Sequence, residues 1–256
     1  MRRQLPATRI LCRIALQIAT ALIALTVRAA TPADSLGVDL PRQIAAHLKV
    51  LHSDPRRVDA RLALGRLYLT IEAFDAAEEQ YSAVLEAGPG DEAEAHYGLG
   101  LSYAGRELFD DAIREYDRSI ATDAKRALVH AASASAHAHL HSYDKAIAAY
   151  QSALVLAPGD AMVRHQLGLA LAKVGQADAA IAEQETVVAA MPSLAQARQE
   201  LGSLHSAAAR WDDARREYRA ALALEPGLGQ AIYGLAQVAM RTGDAHNARR
   251  LMEEFR

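Results

Sequence analysis

The stretch AEAHYGLGLSYAGRELFDDAIREYDRSIATDA, residues 93–124, carries the pattern that decides the fold. In this stretch Gly100 precedes Tyr103, and Ala112 precedes Tyr116. Residues of the Gly100 class recur 35, 34, 34, 34 and 34 positions apart, at Gly65, Gly100, Ala134, Gly168, Gly202 and Ala236. Residues of the Ala112 class keep the same distances, at Ala77, Ala112, Ala146, Ala180, Ala214 and Ala248. A fixed period of this kind predicts stacked structural repeats.

The composition favours helices over strands. Of the 256 residues, 51% are hydrophobic but only 5% are aromatic, and the frequent alanine is the strongest helix former. We predict closely packed helices; the family resemblance described below implies two antiparallel helices in each repeat, with a small residue on the first helix that admits a large residue of the second. The second helices are predicted to be N-capped by Asp75, Asp110, Asp144, Asp178 and Asp212. Asp75 and Glu78 have the spacing of a capping box.

The quoted pattern resembles the tetratricopeptide repeat (TPR) family, in which Leu-Gly, Tyr, Ala, Tyr or Phe, and Pro recur over about 34 residues. The resemblance implies an all-α TPR solenoid, a right-handed superhelix of antiparallel helix pairs. It implies five full repeats and a partial sixth, at residues 58–91, 93–126, 127–160, 161–194, 195–228 and 229–256. We expect an N-terminal capping helix within residues 39–57, because solenoids need covered ends. Residues 30–38 are expected to be a linker.

The first 29 residues have the features of a secretory signal peptide. Arginines precede the apolar run IALQIATALIALTV, residues 14–27, and small residues follow it. We expect cleavage after Ala29 and a periplasmic or secreted location; the alternative is an uncleaved anchor in the inner membrane. Cleavage would remove Cys12, the only cysteine, and five arginines, which takes the formal net charge from −3 to −8.

The stretch HAASASAHAHLHSYDKA, residues 130–146, holds four histidines. His137 and His141 are four residues apart, which is a known metal-ligand spacing on a helix. The repeat register, however, assigns His130 and His137 to helix-packing positions, His139 to the concave side and His141 to a turn. Since metal ligands must converge, we expect packed histidines and no metal site. A periplasmic metal-handling protein is the alternative.

Other chemistry finds little support in the sequence. The net charge of −3 argues against a nucleic-acid partner. A nucleophile elbow, a phosphate-binding loop and a cysteine pair are absent from the sequence, so we expect no enzyme activity, no cofactor and no small-molecule substrate. Trp211 matches Phe74, Phe109 and Tyr143 in the repeat register and is expected to be a core residue.

By resemblance to the family, a concave groove is lined by residues three before, one after, and four or five after the Gly100 class. The expected partner-binding residues are Arg66, Tyr97, Leu101, His139, His165, Leu169, Lys173 and Tyr233. The same position classes include Ser203, Gln237, Met240 and Arg241. The paired Lys and Asn with which the best-known members grip a peptide carboxylate are missing here.

The sequence therefore predicts a non-catalytic periplasmic scaffold or adaptor that binds a protein or peptide partner in its groove. Its setting would be a system for envelope assembly, secretion or polysaccharide export. An accessory subunit of an enzyme complex is a further alternative. A membrane would be involved only if the N-terminal segment is retained.

Overall fold

A computed structural model describes residues 40–255, so the expected signal peptide and linker lie outside the described residues. This part of the chain contains helices and no strand, which confirms the predicted all-α fold. The helices are α1 (Leu40–Ser53), α2 (Val58–Thr70), α3 (Phe74–Ala87), α4 (Glu92–Gly105), α5 (Phe109–Thr122), α6 (Ala127–His139), α7 (Tyr143–Leu156), α8 (Ala161–Lys173), α9 (Ala177–Ala190), α10 (Ala195–Ala207), α11 (Trp211–Leu224), α12 (Gly229–Arg241) and α13 (Ala245–Phe255).

The helices form two compact bodies, one up to Ala124 and one from Lys125 onward. In the N-terminal body, α1 packs on α2, and the pairs α2–α3 and α4–α5 follow. In the C-terminal body, the pairs are α6–α7, α8–α9, α10–α11 and α12–α13, and each packs on the next. We call the first helix of each pair an A helix and the second a B helix.

Aromatic rings on the B helices pack against glycines on the A helices, as the repeat pattern predicts. Tyr81 of α3 lies between two A helices, because a Cβ added at Gly98 would be 2.3 Å from its Cζ atom and one at Gly65 would be 2.6 Å away. In the C-terminal body, Tyr218 lies between Gly202 and Gly234 in the same way. The absence of a side chain at these glycines lets the helices approach closely.

The prediction that aspartates N-cap the B helices is wrong. Helix α3 begins at Phe74 with Ala73 at the N-cap, so Asp75 is its second residue and makes no capping hydrogen bond. The helix starts two residues earlier than expected, at the aromatic residue. An acidic residue in the first turn still interacts favourably with the helix dipole. Glu78 does not complete a capping box, because it accepts hydrogen bonds from Tyr103 Oη at 3.0 Å and Arg106 Nη1 at 2.5 Å.

The turn between the two helices of a pair is the same in every repeat. One residue in each turn has a positive φ: Glu72, Glu107, His141, Gly175, Ala209 and Gly243. After α2, the Ala73 amide donates to the Tyr68 carbonyl at 2.9 Å and the Glu72 amide to the Leu69 carbonyl at 3.1 Å. These two bonds form a Schellman motif, which satisfies carbonyl groups at the helix end.

Candidate functional site

An open cavity in the C-terminal body lies between α10, α11 and α12. Its volume is about 670 Å³, which is within the range of about 300–1,000 Å³ typical of ligand sites. The residues that line it are Ser203, Ser206, Ala207, Trp211, Tyr218, Gln237, Met240 and Arg241.

The repeat explains why these side chains meet. The A helices α10 and α12 contribute equivalent positions, so that Ser203 corresponds to Gln237 and Ala207 corresponds to Arg241. The B helix α11 lies behind them and closes the cavity at its first residue, Trp211. The cavity thus lies on the side of the A helices where the family resemblance predicts the groove.

Tyr218 forms the floor of the cavity and is only 3% exposed. Burial raises the pKa of its hydroxyl group, a hydrogen bond with Ser203 opposes this, and the nearby Glu200 raises the pKa further. The phenol therefore stays protonated at neutral pH and remains a hydrogen-bond donor. This floor is fixed, because the ring is clamped between Gly202 and Gly234.

The cavity wall combines neutral hydrogen-bonding groups, two apolar side chains and one charge. Ser203, Ser206 and Gln237 can each donate and accept hydrogen bonds. Met240 is 54% exposed and Trp211 is partly exposed. Arg241 is exposed and forms no hydrogen bond or ion pair with the residues between 40 and 255. This set suits binding; it contains no nucleophile paired with a base.

In the N-terminal body, the expected groove residues differ widely in exposure. Arg66 is exposed and pairs with Glu94 at 3.4 Å. Leu101 is partly exposed. Tyr97 is only 7% exposed, and the centroid of its ring lies 6.2 Å from that of Tyr116. Tyr97 thus offers little area to a partner and mainly packs α4 on α5.

The expected residues of the C-terminal body are spread along its A helices. His139 and Leu169 are partly exposed and Lys173 is exposed. His165 is 7% exposed. Tyr233 is 40% exposed, and its ring centroid lies 5.4 Å from that of Phe255 in α13, with the two ring planes tilted by 40°. None of these residues lines the cavity, which is formed by other members of the same position classes.

The expectation for Trp211 was incomplete. Trp211 packs against the core cluster around Tyr218, as a repeat-core residue should. It also lines the cavity, which the repeat register did not indicate. The signal was its place at the first residue of α11.

Repeats four and five meet at a group of polar residues, His165, Gln184, Gln199 and Glu200, which we call the polar seam. Gln184 occupies the position of Tyr218 one repeat earlier and is fully buried. It contacts His165 Nδ1 at 2.9 Å and donates to the His165 carbonyl at 3.2 Å. The Oε1 atom of Gln199, a residue 5% exposed, has no hydrogen-bond partner within residues 40–255.

Glu200 is the ionisable residue of the polar seam with a shifted pKa. Burial raises its pKa, while His165, Lys173 and a hydrogen bond with Gln199 act in the opposite direction and only partly offset the effect of burial. The same position in the next repeat is Gly234. A carboxyl group therefore replaces a glycine at this junction.

Replacing Glu200 with glutamine is expected to raise the urea midpoint at about pH 7 and to leave it unchanged well below the ordinary glutamate pKa of 4.5. Because the pKa of Glu200 is raised in the folded state, the folded protein binds more protons than the unfolded chain over the pH interval between 4.5 and this raised pKa. The free energy of unfolding therefore falls as the pH rises through it, and glutamine removes this fall. Glu225→Gln, at an exposed residue, is the control. An unchanged or lower midpoint for Glu200→Gln at about pH 7 would contradict the burial.

The four histidines of residues 130–146 lie at separate positions. His130, His137 and His139 are partly buried along α6, whereas His141 lies in the following turn with its Nδ1 atom 2.9 Å from Tyr143 Oη. Across residues 40–255, no three His, Cys, Asp or Glu side chains are grouped so that they could hold a metal ion. A search of the same residues finds no helix with the length and apolar character needed to cross a membrane.

Comparisons with known proteins agree on the repeat. The family profile described as "Tetratricopeptide repeat" matches residues 44–92, 62–127, 97–161 and 200–255. No curated protein matches the sequence.

Several solved structures are similar to this chain. YrrB, described as a TPR protein with an unusual peptide-binding site, is 20% identical, with 73% of this chain and 96% of that chain covered and a TM-score of 0.64. A MamA structure is 28% identical, with 64% and 95% covered and a TM-score of 0.60. Pseudomonas aeruginosa pilF is 20% identical, with 76% and 88% covered and a TM-score of 0.65. At 20% identity, the likenesses to YrrB and pilF show the fold alone.

Proposed function

Because the chain belongs to the tetratricopeptide repeat family, we propose that it is a non-catalytic scaffold that holds a segment of a partner polypeptide against its A helices. Proteins of this architecture use the concave surfaces of stacked helix pairs for binding. The observation that carries the proposal is the 670 Å³ cavity between α10, α11 and α12. The description of YrrB as peptide-binding supports it by analogy.

The chemistry of the cavity suits a peptide main chain. An extended peptide presents one amide donor and one carbonyl acceptor at each residue. Ser203, Ser206 and Gln237 carry groups that can satisfy both kinds. Trp211 and Met240 offer apolar surface for one side chain of the partner, and aromatic anchors of this kind often carry much of an interface's energy.

Other groove positions extend the proposed contact surface within each body. In the C-terminal body these are His139, Leu169, Lys173 and Tyr233. In the N-terminal body they are Arg66 and Leu101. Tyr97 and His165 act in this proposal as supports, because their rings are buried against the neighbouring B helices.

We further propose that the chain is exported and acts outside the cytoplasm after removal of residues 1–29. The support is the basic segment followed by a short apolar run and small residues. The setting would then be an assembly, secretion or polysaccharide-export system of the envelope. The intact mass of the chain purified from its host tests cleavage, and a mass that includes Met1 would favour the membrane-anchor alternative.

The double variant Gln237→Ala with Met240→Ala is expected to reduce partner capture about tenfold or more, since each side chain is exposed in the cavity. Tagged full-length chain would be purified from the host envelope, and the co-purified proteins quantified by mass spectrometry. The matched control is Gln151→Ala with Val155→Ala, an amide and an apolar side chain exposed on the B helix α7.

Both double variants should keep the helical circular dichroism of the parent, because neither removes a buried residue. Loss of capture in the α7 pair, with capture retained in the cavity pair, would place the partner on the B helices and refute the proposal. An enzyme that co-purifies in stoichiometric amounts would identify the chain as the accessory subunit of that enzyme complex.

A further inference from the structure

We propose that the cavity selects a peptide segment in which a carboxylate lies next to a large apolar side chain, and that Arg241 is the residue that reads the carboxylate. This inference rests on the proposed peptide-binding function and adds the chemical class of the ligand. The charge at the ends of the A helices supports it.

In the C-terminal body, the A helices α8 and α12 end at Lys173 and Arg241, whereas α10, which lies between them in the sequence, ends at Ala207. These three residues are equivalent in the repeat. Ala207, with its short side chain, and Arg241 both line the cavity. A group bound over Ala207 would therefore meet a guanidinium group that has no other partner.

Two acidic residues in the first turn of α11, next to the cavity residue Trp211, are already engaged. Asp212 pairs with Arg215 at 2.8 Å, and Asp213 pairs with Arg216 at 2.8 Å. Neither aspartate pairs with Arg241. Glu200 lies near Tyr218 at the cavity floor, and burial raises the pKa of its carboxyl group and so disfavours its ionised form. Arg241 therefore carries an unpaired positive charge at the cavity, and a carboxylate is the group in proteins that matches the fork of a guanidinium best.

The other residues that line the cavity determine which kind of side chain can lie next to the carboxylate in a bound peptide. Trp211 and Met240 provide the apolar surface of the cavity, so a large apolar side chain beside the carboxylate would be covered there. The hydroxyl groups of Ser203 and Ser206 can bond the peptide groups on either side. The positive charge of Arg241, the last residue of α12, also interacts favourably with the dipole of that helix. The test must therefore separate this stabilising role from recognition of the carboxylate.

Trp211 makes the test direct, because it is the only tryptophan in the chain and lines the cavity. Its fluorescence would be recorded while full-length protein is titrated with blocked pentapeptides, acetyl-Ser-Leu-X-Ser-Gly-amide, with X as Glu, Gln or Lys. A fourth peptide has X as Gln and a free terminal carboxylate. The Glu peptide is expected to bind about tenfold more tightly than the Gln peptide, which is the effect of one charge-assisted hydrogen bond.

The variants separate recognition from helix stability. Arg241→Gln should abolish the preference for Glu over Gln. Arg241→Lys keeps the charge at the helix end and should retain part of the preference. Arg219→Gln removes an exposed arginine from the B helix α11 and should behave as the parent. If the free-acid peptide matches the Glu peptide, the carboxylate of a chain end is also accepted.

Two outcomes would overturn the inference. One is equal binding of the Glu and Gln peptides by the parent; the other is no fluorescence response to any peptide up to about 1 mM. In either case, loss of the co-purified partner in the Gln237→Ala with Met240→Ala variant would leave the proposed function standing. Retention of that partner would instead contradict the proposed function itself.

Discussion

Replacing Gly100 with valine is expected to lower the free energy of unfolding by about 3 kcal/mol, the upper end of the cost of overpacking a core. A Cβ at this position would lie 2.3 Å from Cε1 and 2.5 Å from Cδ1 of Tyr116. Tyr116 is 1% exposed, so its ring has no space into which it can move. Urea titration followed by far-ultraviolet circular dichroism measures the loss.

Gly159→Val is the matched control. A Cβ at Gly159, in the turn after α7, would meet no heavy atom within 4 Å. The control is expected to change the free energy of unfolding by about 0.5 kcal/mol or less, as surface substitutions usually do. Equal losses of unfolding free energy in the two variants would show that the close approach of α4 and α5 does not exclude a larger side chain at position 100.

Replacing Tyr218 with alanine is expected to cost about 3–5 kcal/mol, the range for removing a buried aromatic side chain. Gly234→Ala alone should cost about 1–3 kcal/mol, because its Cβ would lie 2.4 Å from Tyr218 Cζ. In the Tyr218→Ala background this clash is gone, and alanine should gain up to about 1 kcal/mol over glycine within a helix. The two substitutions therefore form a double-mutant cycle with a strongly favourable coupling energy.

Thermal or urea unfolding of the parent, the two single variants and the double variant measures this coupling. Tyr233→Ala serves as a control, since Tyr233 lies on α12 beside Gly234 but is 40% exposed. It should cost much less than Tyr218→Ala. Additive losses at Tyr218 and Gly234 would mean that the ring and the glycine do not meet, and the packing of α11 against α12 would have to be reconsidered.

The period in the sequence was sufficient to predict the helix pairs, because it reports which residues must be small and which must be large where helices cross. The positions of Gly100 and Gly202 against tyrosine rings follow from that rule, whereas Gly98 and Gly234, each two residues before a class position, were not predicted. The beginnings of the B helices were misplaced by two residues. Aspartate is common both at the N-cap and within the first turn, so its presence alone does not locate the helix start.

The candidate site was predictable only as a set of position classes. The exposure of a member three before the Gly100 class depends on its own size and on the B-helix residue 19 positions later. That residue is tyrosine in four repeats but Gln184 in the fourth and Met252 in the sixth, and the class members themselves range from Ala131 to Tyr97. Tyr97 is covered by Tyr116, and His165 is held by Gln184. The cavity opens where Ala207 is small and Trp211 begins a helix, which depends on two particular residues and not on the period.

The polar seam should affect how the C-terminal body unfolds. In stacked repeats the stability is close to a sum of individual repeat terms and nearest-neighbour couplings, so one weak coupling divides the array into segments that open separately. At the seam, Gln184 replaces the ring that Tyr218 supplies one repeat later, and the burial that raises the pKa of Glu200 disfavours its ionised form. Helices α6–α9 and helices α10–α13 should therefore exchange their amide hydrogens as two separate groups with different rates. Lowering the pH should narrow this gap, because protonation of Glu200 relieves the cost of burying its charge. The pH would then determine how many repeats unfold in a single cooperative step. Uniform hydrogen exchange across both groups of helices at every pH would exclude a division of the array at the polar seam.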